Sequence, residues 1–67
     1  MASVVVFTYR DRKGADALAG LLRECGIPAA AVPEEDERVT EGIAWKVRVS
    51  EADARRARVI VRAVMRP

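Results

Sequence analysis

The sequence contains no histidine and only one cysteine, Cys25. The first absence removes the usual acid–base group of neutral pH and the common zinc frameworks. The second removes any internal disulfide. Neither common Gly-rich phosphate loop is present, and no Ser, Thr or Lys motif has a paired base. No stretch approaches the ~20 apolar residues of a membrane span, and Met1-Ala2-Ser3 lacks the charged start of a signal peptide. Aromatics are scarce: one Phe, one Tyr and one Trp. A core drawn mainly from Val and Ala buries modest area per residue, and a chain of 67 residues stands near the lower limit for one self-sufficient core. The reading is one domain over residues 1–67, soluble, cytoplasmic and not an enzyme. It has no cofactor or metal, and it gains stability as a homo-oligomer or on a protein partner.

Charge is nearly balanced, with 12 Lys and Arg against 10 Asp and Glu for a net +2, but it is unevenly placed. Glu34-Glu35-Asp36-Glu37 form an acidic block, whereas Arg55, Arg56, Arg58, Arg62 and Arg66 crowd the C-terminal segment.

The hydrophobic pattern resolves into five elements. Residues 3–9 are a β-branched and aromatic run that predicts a strand, with Val4, Val6 and Thr8 on one face and Val5, Phe7 and Tyr9 on the other. Asp11 is positioned to cap a helix over about 12–25, whose buried stripe is Ala15, Leu18, Ala19, Leu22 and Cys25. Gly20 inside it is explained by close packing. Gly26-Ile27-Pro28 stops the helix, with Gly26 in the left-handed position and Ile27 folding back. Residues 28–32 predict a short edge strand ended by Pro33, and 33–42 a long loop with an acidic tip. Ile43 to Val49 alternates cleanly: Ile43, Trp45, Val47 and Val49 on one face, Ala44, Lys46 and Arg48 on the other. Ser50-Glu51-Ala52-Asp53 resembles a capping box for a second helix to about Met65, burying Ala54, Ala57, Ile60, Val61, Val64 and Met65.

The order βαββα, with a right-handed crossover joining parallel strands 1 and 2 and strand 3 antiparallel between them, predicts an α+β, ferredoxin-like three-stranded sheet with two helices on one face. No fourth strand follows to pair with strand 1. Its N–H and C=O groups are left free along one edge, an arrangement natural proteins seldom tolerate uncovered.

The strand ending in Thr8-Tyr9, the Ala-x-x-Leu-x-x-Leu-Leu helix, the Gly26-Ile27-Pro28-Ala29 junction and the run Val49-Ser50-Glu51-Ala52-Asp53-Ala54-Arg55-Arg56-Ala57 resemble a family of small bacterial domains. The family, of unknown function, is described as prokaryotic signal-transducing proteins and placed near the PII-like ferredoxin folds. The resemblance covers nearly the whole chain and rests on structural signatures. It implies the fold and a regulatory or interaction role, and it supplies no active site. The Trp45 strand and the Arg-rich end depart from it.

Each chemical candidate has a plainer counterpart. Arg12-Lys13-Gly14 at a helix start suits an anion, but a solvated turn outweighs it. Cys25 at a helix C-terminus is disfavoured as a thiolate and reads as a small core residue. The acidic block lacks the alternating ligands of a calcium loop, which leaves a solvated tip or a docking patch. Arg55, Arg58, Arg62 and Arg66 recur on one face of the second helix; an ordinary soluble face is weighed against an acidic partner or nucleic acid, and few aromatics and low net charge weaken the last. Trp45 reads as core ahead of binding hot spot. The leading expectation is a protein–protein interaction or regulatory module using the strand 1 edge and the uncovered sheet face, through Val5, Phe7, Tyr9, Lys46 and Arg48, with Arg55, Arg58, Arg62 and Arg66 second. The rivals are a PII-like small-ligand or nucleotide sensor and nucleic-acid binding through the Arg stripe.

Overall fold

In the computed structural model, which describes residues 2–37 and 42–65, the elements follow in the order β1 (Ser3–Tyr9), α1 (Arg12–Glu24), β2 (Ala29–Glu35), β3 (Ile43–Ser50), a 3-10 turn (Glu51–Asp53) and α2 (Ala54–Val64). The sheet order is β1-β3-β2, and β3 is antiparallel to both neighbours. β1 and β2 are therefore parallel to each other, both are edges, and the fold is α+β of ferredoxin-like type.

β3 holds the centre because its alternation satisfies two environments. Val47 and Val49 are buried with Ala15, Leu18, Ala19 and Leu22 of α1 and Ala54, Ala57 and Val61 of α2, and Trp45 packs against the same cluster. Trp45 thus belongs to the core side. The fully buried Leu22, Ile27 and Val47 each contribute about 1.5–3 kcal/mol relative to exposure.

Both ends of α1 form as the residues dictate. The Asp11 carboxylate accepts from the Gly14 backbone N–H at 2.8 Å, closing one of the free donors of the first turn. At the other end Gly26 takes φ +84°. Its N–H donates to the Arg23 carbonyl at 3.0 Å, and the Ile27 N–H donates to the Leu22 carbonyl at 2.9 Å. This is a Schellman motif, and its accompanying apolar contact is supplied by buried Ile27 and Leu22.

Several expectations are corrected. β1 carries a bulge: Val5 opposes Arg48 and Phe7 opposes Val47, so Val6 is an extra residue. The bulge shifts the alternation by one, and Val4, Val6, Phe7 and Tyr9 all pack on the core side. The Phe7 and Tyr9 rings are 4.7 Å apart, centre to centre, on that side. Phe7 and Tyr9 are therefore not on the uncovered face, and of the β1 trio only Val5 remains there. β2 extends through Pro33 to Glu35, because an edge strand tolerates a missing donor. Cys25 caps α1 and is exposed instead of buried, since the stripe reaches the last turn just as the chain turns away. Val64 and Met65 are exposed too, at 48% and 38%; only Ala54, Ala57 and Val61 of α2 are fully covered, with Ile60 half-buried. The Ser50 hydroxyl donates to the Asp53 carboxylate at 3.0 Å and not to a backbone group, and a 3-10 turn precedes the helix. Gly20 has nothing within 4 Å of where a Cβ would stand, so close packing does not account for it.

Two glycines of one helix should therefore respond oppositely to alanine. Gly20→Ala should raise unfolding stability by about 0.5–1 kcal/mol, since the site is open and alanine is the better helix former. At Gly14 a Cβ would come within 2.6 Å of the Tyr9 ring. Gly14→Ala should cost about 1–3 kcal/mol, the usual cost of overpacking. Urea unfolding of the two variants measures both, and equal effects would contradict this packing.

Candidate interaction surface

The sheet face opposite the helices is built by the outward-facing residues of β3 and β2. Arg48 lies opposite Ala30, Lys46 opposite Val32 and Ala44 opposite Glu34, while Val5 and Thr8 of β1 flank Arg48 and Lys46 on the other side. This face is closed by charge. Arg48 makes a two-point contact with Glu34, Nε to Oε2 at 2.5 Å and Nη2 to Oε1 at 3.0 Å, and its Nη1 donates to the Ser3 hydroxyl at 3.2 Å. Lys46 Nζ lies 3.7 Å from Asp36 and 3.9 Å from Glu34. Although no helix lies above them, the Lys46 and Asp36 side chains are only 16% and 6% exposed, and Ala44 is fully buried.

The Arg48 hydrogen bond is the main cause that holds the Glu34 carboxyl below its ordinary range; partial burial opposes it, and the Arg48 and Lys46 charges act with it. Two members of the acidic block thus neutralise two cations of β3, and the expected solvated tip reduces to Glu35 and Glu37 on the exposed surface. Lys46 and Arg48 are placed on the uncovered face as expected, but both are engaged. Sequence spacing gave no signal for this network, because Glu34 and Arg48 are 14 residues apart and are not cross-strand partners.

The other candidates are dispersed. Arg12 pairs with Asp16 at 3.2 Å and stands 5.7 Å over the Trp45 ring. That gives the cation at an unfavourable helix end two local partners. Asp11 already occupies the Gly14 N–H, which diminishes the anion-site reading there. On α2, Arg55, Arg58 and Arg62 are exposed, and among the described residues none is within ion-pair range of a carboxylate; Arg56 instead pairs with Asp53 at 3.1 Å. Glu51 does not offset Arg55, and Arg66 lies outside the described residues.

The β1 edge has β3 on one side and, among the described residues, no strand on the other. A shallow cavity of about 410 Å³ opens at one end of the sheet, lined among others by Ser3, Pro28, Ala30, Val32, Arg48 and Ser50. Among the described residues no group of three or more His, Cys, Asp or Glu side chains is placed to hold a metal ion, and no helix is long and apolar enough to cross a membrane. No protein-family model, curated protein or solved structure matches the chain.

The ion-pair network predicts a pH response. Because the folded carboxyl of Glu34 titrates below its ordinary value of 4.5, its contribution is fully present above the unfolded pKa and is lost as pH falls through the lower folded pKa. Stability measured by chemical denaturation from neutral pH into the acid range should drop more steeply in the parent than in Glu34→Gln. Parallel curves would show that the pair contributes nothing to folding.

Proposed function

We propose that this chain is a non-enzymatic protein–protein interaction or regulatory module that binds by adding a partner's strand to the free edge of β1. The observation that carries this reading is the position of the most hydrophobic strand. Val4, Val5, Val6 and Phe7 lie in an edge strand of a three-stranded sheet, where backbone groups are free to pair outward. The bulge at Val6 twists the edge and limits pairing to a partner that fits it, a usual guard against indiscriminate association. The resemblance to prokaryotic signal-transducing domains agrees with a regulatory role.

The ion-pair network shapes this reading. A face whose cations are already held by Glu34 and Asp36 offers little net charge to a ligand, so the edge is favoured over the face. A small-ligand sensor, the main rival, finds support in the cavity beside Arg48, whose volume falls in the range of ligand pockets at roughly 300–1,000 Å³. It is open, however, and its one cation is taken by Glu34. A thermal shift on adding nucleotides would favour that rival.

A photo-crosslinking amino acid at Val5 should form a discrete adduct in cells, whereas the same group at Ala30, next to the β2 edge, should not. Light scattering on the purified chain then tells a second copy from a different protein. Equal adducts at both positions, or none, would remove the β1 edge as the binding element.

A further inference from the structure

We propose that α2 completes the β1 edge into one docking site whose occupant is an extended acidic segment of another protein. The inference rests on the strand-addition reading and adds the chemistry of the partner.

The geometry begins with the flanks of α2. Its buried line is Ala54, Ala57 and Val61. At 100° per residue, Ile60 lies to one side of that line and Arg58, Arg62 and Arg55 to the other. Ile60 packs against the core, so its flank faces the interior, where α1 lies. α2 has its main sheet contact with β1, whereas α1 packs on β2 and β3. The arginine flank therefore overlooks the outer side of β1, where an added strand would lie.

The charges on that flank are unspent. Arg55, Arg58 and Arg62 are exposed and have no carboxylate in range among the described residues, while the cations of the sheet face are neutralised by Glu34 and Asp36. A strand seated on β1 would present alternate side chains toward α2, and carboxylates there would meet the arginines. A second copy pairing β1 to β1 would instead bring two arginine rows together across the two-fold axis, a like-charge juxtaposition that disfavours the homodimer. Charge complementarity thus selects an acidic partner over the chain itself.

The test uses the full, isotopically labelled chain and two synthetic peptides, one alternating glutamate with valine and one alternating lysine with valine. Amide hydrogen exchange and resonance shifts are followed by NMR. The acidic peptide should slow exchange along residues 4–9 and shift the Arg58 and Arg62 signals, with the lysine peptide weaker by roughly tenfold or more. Added salt should narrow the difference. Arg58→Glu/Arg62→Glu, both exposed positions, should keep the native spectrum and reverse the preference. Equal protection of residues 4–9 by the two peptides would overturn the acidic preference and leave strand addition standing. Shifts on α2 with no protection of β1, or no binding by either peptide, would overturn the proposal and count against strand addition too. Protection of residues 4–9 by self-association of the chain alone would make a second copy the occupant and equally overturn it.

Discussion

The whole molecule depends on one strand having two unlike faces. β3 pairs with both other strands, so among the described residues every strand pairing involves it. On one side Trp45, Val47 and Val49 supply the floor on which both helices rest. On the other, Lys46 and Arg48 supply cations for which β2 and the residue after it provide the anions. A period-two pattern cannot slip by one residue here, because a slip would bury two charges under the helices and strand three apolar side chains in water. The register is fixed by both faces at once, which suits a domain with so little aromatic surface to commit.

What could be read from the residues followed from how local their causes are. The Schellman stop at Gly26 and Ile27, the Asp11 cap and the alternation of β3 depend on neighbours within a few positions, and each stands where local chemistry puts it. The bulge at Val6 did not announce itself. Three consecutive valines are equally content on either face, so nothing in them marks the extra residue; the identity of the core side is decided by the pairing of Phe7 with Val47. The Glu34–Arg48 contact was hidden for another reason. Pro33 looks like the end of a strand, but at an edge it only forfeits a donor that had no partner, and continuing two residues further turns a loop acid into a sheet acid. Arg48 then meets a carboxylate that is not its cross-strand neighbour, since Ala30 stands opposite Arg48 and Ala44 opposite Glu34.

The helices divide the labour unevenly. α1 is tied at both ends by its own side chains and backbone, and its buried set is continuous from Ala15 to Leu22. α2 has neither a side-chain cap bond nor a large buried residue beyond Val61, and Val59, Val64 and Met65 are left substantially exposed. The stripe predicted for its last turn exists in the residues but meets no covering surface among the described residues. A ferredoxin-like sheet with a fourth strand beyond β1 would extend the floor beneath that helix. Its absence from the described sheet therefore leaves both the β1 edge unpaired and the outer flank of α2 uncovered, two consequences of one topological fact.

That link gives the charge distribution its meaning. If the arginines of α2 were a generic solubilising face, their placement relative to the sheet would be indifferent, and carboxylates interspersed among them would relieve repulsion along the helix. Asp53 pairs with Arg56, but Glu34 and Asp36 lie across the sheet, where they hold the cations of β3, while Arg55, Arg58 and Arg62 stay unrelieved on the flank above the β1 edge. Repulsion within α2 is a cost that an acidic neighbour would convert into attraction, and the hydrogen-bonding groups of β1 are a row that such a neighbour would satisfy. The two deficits sit side by side, and one extended acidic segment answers both.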